Sequence, residues 1–140
     1  MTSNMPPGAI PEMRLMPTAT QIFMFSAATW NRHHIHYSKD AALAEGHTDI
    51  VVQRALIGNF FANQIGEWLG DAGEIREISW KVLSSAVPGV ELTCRAKVIA
   101  MDADGDCPMA KLELEVLRDS GRIVATGAAT VALTSGHWPS

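Results

Sequence analysis

The stretch "VVQRALIGNFFANQIGEWLG", residues 51–70, decides the fold of this 140-residue chain. Apolar side chains recur in it at every fourth position, namely Ile57, Phe61, Ile65 and Leu69. Further apolar side chains at Leu56, Phe60 and Trp68 extend this row onto neighbouring faces. A helix that is apolar over most of its circumference is a buried helix. The sequence therefore predicts one long helix at the centre of the fold.

Two glycines lie inside this predicted helix, and each costs about 1 kcal/mol relative to alanine in an exposed helix. Gly58 and Gly66 are therefore expected where another part of the protein packs closely against the helix. A narrow polar stripe remains on one side, formed by Arg54, Asn59, Asn63 and Glu67. Gly70 is expected to end the helix.

From residue 74 onward apolar and polar residues alternate with a period of two, which is typical of strands with one solvated face. The alternating runs are 78–82, 92–98, 112–116 and 123–133, separated by the turn sequences "PG" (88–89), "DADGD" (102–106) and "RDSGR" (118–122). The pattern predicts an α+β fold in which a curled antiparallel sheet wraps the long helix. Because an open sheet leaves an edge to cover, dimerisation is also expected.

The first half of the chain is less regular. Residues 1–17 are rich in proline and predict an extended arm, followed by a single domain over 18–135 and a tail at 136–140. The sequence "ATQIFMFSAAT" (19–29) predicts a strand that leads into a turn. The sequence "HYSKDAALAEGH" (36–47) predicts a short helix with Ser38 as its N-cap and Gly46 as its stop.

The composition excludes several classes of protein. A net charge of −4 argues against a nucleic-acid binder with a broad basic face, and no apolar run approaches the roughly 18 residues that cross a bilayer. The N-terminus has no basic cluster followed by an apolar stretch, so a secretory signal is not expected. Two cysteines make no disulfide framework, and Cys94 is predicted to be a small buried hydrophobe in a reducing compartment. We therefore expect a cytoplasmic protein with no nucleic-acid or membrane partner.

Three histidines crowd the sequence "NRHHIHYSKD" (31–40), at His33, His34 and His36. Four interpretations compete, namely a metal site, a general acid/base site, an exposed polar loop and histidines packed in the core. The spacing H-H-x-H lacks the i, i+4 pattern of a helical zinc site and has no cysteine beside it. The sequence "DADGDCPMAKLE" (102–113) has its glycine at the fourth position, whereas a calcium loop has it at the sixth. No metal is therefore expected.

Residues 31–56, "NRHHIHYSKDAALAEGHTDIVVQRAL", resemble the signature region of MaoC-like (R)-specific enoyl-CoA hydratases and dehydratases, which have the hotdog fold. That family has Asp-x-Asn-Pro-Ile/Leu-His, an alanine-rich helix, and a Val-Val-His-Gly-like start of its central helix. His36 stands at the position of the family's catalytic histidine, and Asn31 stands where most members have aspartate. The family's His-Gly is Gln53-Arg54 here, which is similar to small MaoC-like subunits that act on steroid-CoA thioesters with a second hotdog chain.

The resemblance implies an enoyl-CoA hydratase or 3-hydroxyacyl-thioester dehydratase that adds or removes water across the 2,3 double bond of an acyl-CoA thioester. It implies His36 as acid/base, because histidine exchanges a proton near neutral pH, and Asn31 as the residue that orients the water. Residues expected to bind the substrate are Arg32, Gln53, Arg54, Ala55 and Asn59, with Lys39 and Asn63 as further candidates. For Asn59 and Asn63 the preferred interpretation is that their side chains satisfy neighbouring backbone groups in the core, and the alternative is that they line an acyl tunnel. Coenzyme A is part of the substrate, so no separate cofactor is expected. The expected partner is a copy of the chain or a second MaoC-like chain.

Two other functions stay open from the sequence. The asparagine at position 31 and the Gln53-Arg54 pair are also compatible with a non-catalytic hotdog subunit that completes the active site of a partner. Hotdog thioesterases usually place a carboxylate in or just before the central helix, and Asp49 lies close to that position. A thioesterase is therefore the third possibility.

Overall fold

The computed structural model describes residues 10–103, 105–119 and 121–139. In chain order the elements are β1 (Met13–Leu15), α1 (Ala19–Thr29), a 3-10 turn (His34–His36), α2 (Lys39–Ala44), α3 (Arg54–Leu69), a second 3-10 turn (Gly70–Ala72), β2 (Glu74–Val82), β3 (Leu92–Asp102), β4 (Met109–Arg118) and β5 (Ile123–Ala132). Positions 1–9 of the predicted arm, position 140 of the predicted tail, and positions 104 and 120 in two predicted turns lie outside the described residues.

The five strands form one antiparallel sheet in the order β1-β3-β4-β5-β2. All four strands predicted from the period-two alternation are present, so that prediction is confirmed. β1 was not predicted as a strand. It lies within the proline-rich segment and pairs with the start of β3, with Met13 opposite Cys94 and Leu15 opposite Leu92. The nine-residue strand β2 therefore forms the longer of the two sheet edges.

The core lies between α3 and the sheet. Ile57, Phe61 and Ile65 are fully buried on the inner face of the helix, as the four-residue spacing predicts. They share one cluster with the inward-facing side chains of the sheet, which include Leu92, Cys94, Leu112, Leu114, Val116 and Val131. The polar stripe of α3 is exposed on the opposite side of the helix. The predicted architecture of a long helix packed on an antiparallel sheet is therefore confirmed.

The segment 19–29 is a helix, so the prediction of a strand there is wrong. Ile22, Phe23 and Phe25 favour strands by intrinsic propensity, but such a preference is weak and is overridden by packing. Ile22 and Ser26 are buried four positions apart, which is the spacing of one helical face. Thr18 caps this helix, because its side chain accepts a hydrogen bond from the backbone N–H of Gln21 at 3.0 Å.

Replacing the cap should weaken α1 measurably. Thr18→Ala is expected to lower the free energy of unfolding by about 1 kcal/mol, because it leaves a backbone donor of the first turn without its partner. Thr20→Ala is the matched control, since Thr20 is exposed within the same helix. The control should change stability by no more than about 0.5 kcal/mol. Urea unfolding of both variants measures the difference, and equal stabilities would contradict the capping role.

The short helix α2 begins and ends as predicted. The Ser38 side chain accepts from the backbone N–H of Ala41 at 3.3 Å. At the other end, Gly46 adopts a positive φ of 92°, which glycine tolerates best. The N–H of Gly46 bonds to Leu43 O and that of His47 bonds to Ala42 O, which is a Schellman motif. This motif fixes the backbone of His47 relative to α2.

The two glycines of α3 differ in their surroundings. A methyl group at Gly58 would overlap the ring of Trp80 from β2, so the predicted close approach is confirmed there. A methyl group at Gly66 would meet no atom within 4 Å, so the same prediction is wrong for Gly66 in the single chain. Gly70 ends α3 as predicted.

Cys94 is a buried hydrophobe, as predicted. Its side chain is fully inaccessible, and burial raises the pKa of its thiol to about 12. Of the helices within the described part of the chain, none has the length and apolar character needed to cross a membrane.

Candidate active site

A cavity of about 540 Å³ lies where the start of α3 meets the His34–His36 turn and the segment after β2. Its polar wall is formed by Asn31, His36, His47, Arg54, Ser84 and Ser85, and its apolar wall by Val51, Val52, Ala55, Val82 and Leu83. Two backbone hydrogen bonds hold these segments together. Val51 N donates to Ile35 O at 2.9 Å, and Val52 N donates to Ala86 O at 2.9 Å. The segment before α3 is thus held between the His34–His36 turn on one side and the segment after β2 on the other.

His36 is the most enclosed titratable side chain of this cavity, with only 7% of its surface exposed. Its Nδ1 lies 2.7 Å from the backbone oxygen of Val51. A carbonyl oxygen can only accept, so Nδ1 must carry the proton. In the neutral ring Nε2 therefore has the free lone pair, and it is the nitrogen left to accept a proton from a ligand.

The surroundings of His36 keep its ring neutral. Burial lowers the pKa of His36 below its ordinary value of 6.5, and the hydrogen bond to the Val51 carbonyl opposes this in part. Positive charge on His33 and on His47 lowers the pKa further. The site therefore holds a neutral imidazole, which is suited to act as a base at neutral pH.

Asn31 is held at the cavity by the end of α1. Trp30 closes that helix in the left-handed region at φ 58°, and the backbone N–H of Asn31 bonds to Ser26 O at 3.0 Å. The Asn31 side-chain Oδ1 accepts from His33 N at 3.3 Å. The amide Nδ2 can donate to a ligand, and Oδ1 keeps a second lone pair that can accept from one.

The start of α3 brings backbone donors to the cavity. Arg54 and Ala55, which both line it, are the first two residues of the helix, so their N–H groups have no partner within the helix. The aligned peptide dipoles add partial positive charge there. This end of α3 can stabilise negative charge on a bound oxygen.

The side chain of Arg54 is fixed against β2. Its Nη2 donates to Trp80 O at 3.0 Å, its guanidinium lies 5.3 Å from the centre of the Trp80 ring, and Trp80 Nε1 donates back to Arg54 O at 2.9 Å. Gly58 leaves the space that the Trp80 ring occupies. The cation of Arg54 is thus held on the cavity wall and leaves further N–H groups free for an anion.

Sequence reasoning missed His47, Ser84 and Ser85 as residues of this cavity. His47 Nδ1 lies 2.9 Å from the hydroxyl oxygen of Ser85, a residue 38 positions away. The only local signal was a histidine directly after the glycine that ends α2. The pattern at "GH" indicates a helix stop, and nothing in the sequence links it to "SS" at 84–85.

The structure places the predicted site residues in two groups. Asn31, His36, Arg54 and Ala55 share the cavity, whereas the walls do not include Arg32, Gln53 or Asn59. Arg32 is exposed, and its guanidinium lies 5.4 Å from the centre of the Trp30 ring.

The side chain of Gln53 is turned away from the cavity and is fully buried. Its Nε2 donates to Ile22 O at 2.7 Å and to Ser26 Oγ at 2.8 Å, which joins α1 to the start of α3. Because both donors are used within the protein, this side chain holds two helices together.

Asn59 and Asn63 are exposed on the outer face of α3, and Lys39 is exposed on α2. The interpretation that the two asparagines satisfy backbone groups inside the core is therefore wrong. Contact of these three residues with a substrate stays a prediction.

The other two histidines of the cluster lie outside the cavity wall. His33 Nε2 is 3.2 Å from Glu45 Oε2, its ring meets that of His36 edge to face at 5.8 Å, and His34 makes a similar contact with Tyr37 at 5.6 Å. Among the described residues no group of three His, Cys, Asp or Glu side chains is placed to hold a metal ion.

A second cavity of about 520 Å³ lies at the opposite end of α3. Its walls include Glu67, Asp71 and His137, and the helix there presents its carbonyl end. Two carboxylates and the negative end of a helix dipole disfavour an anionic ligand. Of these two cavities, the one at His36 is therefore the candidate site.

The family model of hydroxyacyl-thioester dehydratase type 2 matches residues 2–88 of the chain. The chain belongs to that family. Its members are named for removing water from hydroxyacyl thioesters, and the resemblance to MaoC-like hydratases and dehydratases is confirmed. No curated protein sequence matches the chain.

Solved structures confirm the hotdog fold. The ChsH1–ChsH2 complex from Mycobacterium tuberculosis superposes with a TM-score of 0.82 at 20% identity, over 94% of this chain and 99% of that chain. The (R)-hydratase from A. caviae involved in PHA biosynthesis gives 0.78 at 22%, over 90% and 96%. The HadBC (3R-hydroxyacyl-ACP dehydratase) complex from M. tuberculosis gives 0.70 at 14%, over 85% and 90%. At these identities the likeness establishes the fold.

Proposed function

We propose that the chain is a hydratase or dehydratase of acyl-CoA thioesters, with His36 as acid/base and Asn31 as the group that orients the reacting water. In hydration, Nε2 of His36 takes a proton from water while the water oxygen bonds to C3 of the enoyl thioester. The electron pair of the double bond moves towards the thioester oxygen, and C2 then takes a proton. Dehydration is the reverse.

The observation that carries this proposal is the fixed tautomer of His36 beside the start of α3. The hydrogen bond of Nδ1 to Val51 O leaves Nε2 as the base. The free N–H groups at Arg54 and Ala55 supply donors for the thioester oxygen as enolate charge develops. A base and an oxyanion site on one cavity wall are the two parts that the reaction needs.

The residues of the walls support further substrate contacts in this proposal. The guanidinium of Arg54 would bind a phosphate of coenzyme A. Val82 and Leu83 are exposed apolar side chains on the rim and would contact the pantetheine arm or the acyl chain. A bulky acyl chain of steroid type is the finer part of the proposal, and it rests on the resemblance of residues 31–56 to steroid-CoA hydratase subunits.

An oligomer is part of the proposal. β2 forms a sheet edge nine residues long, and long unpaired edges invite pairing with another chain. α1 also exposes Phe23 and Met24, at 58% and 62%. The partner is a copy of the chain or a second MaoC-like chain.

The direct test is an assay of water addition with three substrates, namely crotonyl-CoA, mesaconyl-CoA and a steroid-type enoyl-CoA. The chain is assayed alone and together with a MaoC-like chain from the same host, and loss of enoyl-thioester absorbance is followed. Turnover that is lost when this chain carries His36→Ala supports the proposal and identifies the acyl class. Absence of turnover in every combination would contradict it.

The pH dependence should report the neutral state of His36. Because His36 accepts a proton only when neutral, kcat/KM should fall as pH drops through its pKa. That pKa is lowered by burial, so the midpoint of the acid limb is expected below pH 6.5. His137→Gln, which changes an exposed histidine in the other cavity, should leave this limb unchanged. An acid limb with its midpoint above 6.5 would contradict the assignment.

A non-catalytic subunit is the second candidate, and Asn31 favours it, because an amide cannot take the proton that an aspartate takes. In that case the activity of a hetero-oligomer would survive His36→Ala but not removal of the chain. A thioesterase using Asp49 gains no support. Asp49 Oδ1 accepts from the backbone N–H of Ile50 at 2.8 Å, and Asp49 is not among the residues that line the cavity.

A further inference from the structure

We propose that His47, held by Ser85, is the second proton-transfer group of the cavity and exchanges the proton at C2 of the thioester while His36 exchanges the proton of water. This inference rests on the proposed function and names a further residue for it.

The cavity needs a second titratable group because Asn31 cannot supply one. Of the side chains that line it, those that titrate or carry charge are His36, His47 and Arg54. Arginine stays protonated at any working pH. Within the described residues of the wall, His47 is therefore the side chain besides His36 whose chemistry allows it to exchange a proton with a ligand.

The position of His47 is fixed at both its backbone and its ring. The Schellman motif binds its N–H to Ala42 O at 2.9 Å, directly after Gly46. Its ring nitrogen Nδ1 lies 2.9 Å from Ser85 Oγ. With Nδ1 engaged, Nε2 is the nitrogen left to meet a ligand.

Ser85 is itself fixed by the sheet. Arg118, at the end of β4, donates from Nη1 to Ser85 O at 3.1 Å. The next carbonyl, Ala86 O, accepts from Val52 N at 2.9 Å. The hydroxyl that holds His47 thus belongs to a segment bound on one side to β4 and on the other to the segment before α3. Such fixation of a half-buried histidine is what proton transfer requires, since the donor must stay within reach of the reacting carbon.

The rings of His36 and His47 interact electrostatically. Positive charge on His47 is one of the causes that lower the pKa of His36. The other charged groups around them are His33, paired with Glu45, the guanidinium of Arg54 on the wall, Arg118 behind Ser85, and Asp49, which caps Ile50. A protonated His47 therefore favours a neutral His36, which is the pair of states that hydration requires.

The proposed hydration step is balanced in protons. In hydration, water loses a proton to Nε2 of neutral His36 and its oxygen bonds to C3. Protonated His47 gives its Nε2 proton to C2 as the carbon–carbon double bond becomes single. His36 then carries a proton and His47 is neutral, and exchange with solvent restores the starting states. In dehydration neutral His47 takes the proton from C2, and protonated His36 gives its proton to the leaving hydroxyl.

The kinetic test compares His47→Gln and Ser85→Ala with His137→Gln as the control. The wild-type profile of kcat/KM against pH should be bell-shaped, because one histidine must be neutral and the other protonated. His47→Gln should lower kcat about 10²- to 10⁴-fold and abolish the alkaline limb. It should also move the acid limb to higher pH, because a positive charge near His36 is removed. Ser85→Ala should keep the bell shape at a lower rate.

A rate and profile of His47→Gln equal to those of His137→Gln would overturn the inference. A structural role alone would lower the melting temperature and the amount of active protein but would leave the alkaline limb in place. That outcome also overturns it, and thermal unfolding of each variant separates the two effects.

A measurement without turnover separates this inference from the proposed function. Ring resonances of histidine are followed by NMR while butanoyl-CoA, a saturated thioester that cannot be hydrated, is added. The inference predicts that the His36 and His47 signals both move and that those of His137 do not. If only His36 responds, the thioester binds and the role of His47 is overturned. If neither responds, both the proposed function and this inference fail.

Discussion

His36→Ala is expected to lower kcat/KM for enoyl-CoA hydration about 10²- to 10⁴-fold, the range that a positioned general acid/base supplies. The ring is 7% exposed, and its tautomer is fixed by the 2.7 Å contact of Nδ1 with Val51 O. Among the described residues of the cavity wall, no other side chain combines this burial with a free lone pair on nitrogen. Steady-state kinetics on the substrate that the wild type turns over measures the loss.

The same change removes a structural hydrogen bond, and this contribution has to be separated from catalysis. Loss of the bond leaves the Val51 carbonyl without its partner and should cost about 1–3 kcal/mol of stability. The variant should therefore stay folded under assay conditions, which circular dichroism checks. His137→Ala controls for loss of an exposed ring. A folded His36→Ala variant with an unchanged rate would remove His36 from the site and favour the non-catalytic subunit.

Gly58→Ala and Gly66→Ala are expected to change stability in opposite directions, although both replace glycine by the better helix former in the same helix. A methyl group at Gly58 overlaps the Trp80 ring, whereas one at Gly66 meets open space. Gly66→Ala should raise the free energy of unfolding by up to about 1 kcal/mol. Gly58→Ala should lower it by about 1–3 kcal/mol, because the overlap outweighs the gain in helix propensity.

The loss at Gly58 should be large because the Trp80 ring cannot move away easily. Its Nε1 donates to Arg54 O, and the Arg54 guanidinium lies over its face. Urea unfolding of both variants measures the difference. Equal and opposite changes are not required, but a stabilised Gly58→Ala variant would show that Trp80 does not pack on α3 as described.

The Gly58 variant also tests how the fold positions the site. Displacement of the ring should move the Arg54 side chain, whose Nη2 is bonded to Trp80 O. If Arg54 binds a phosphate of coenzyme A, KM should rise in Gly58→Ala more than kcat falls. A parallel change in Gly66→Ala would argue against this route, since Gly66 lies three turns of α3 away from the cavity wall.

The regular elements could be predicted from the sequence because their periodicity is local. The four-residue spacing of Ile57, Phe61 and Ile65 predicts α3, and alternation predicts β2 to β5. Residues 19–29 were assigned wrongly because their side chains favour strands, while the evidence for a helix is tertiary. Ile22 and Ser26 are buried only because α1 packs against the start of α3, where Gln53 bonds to both residues. A local pattern does not contain this information.

The site could be predicted only in part for the same reason. Asn31, His36, Arg54 and Ala55 lie in one recognisable segment, and the structure brings them to one cavity. The ring of His47 is held by Ser85, 38 positions away along the chain. The side chain of Arg54 is held by Trp80, 26 positions away. No pattern in a single sequence predicts such long-range pairs of contacting residues.

The most direct test of the central claim is the mass of the product formed from an enoyl-CoA in ¹⁸O-labelled water by the purified chain in its native assembly. The account predicts an intact CoA thioester that has gained one water, with the label on the C3 hydroxyl. Recovery of free coenzyme A and an unsaturated acid, or of unchanged substrate, would contradict it.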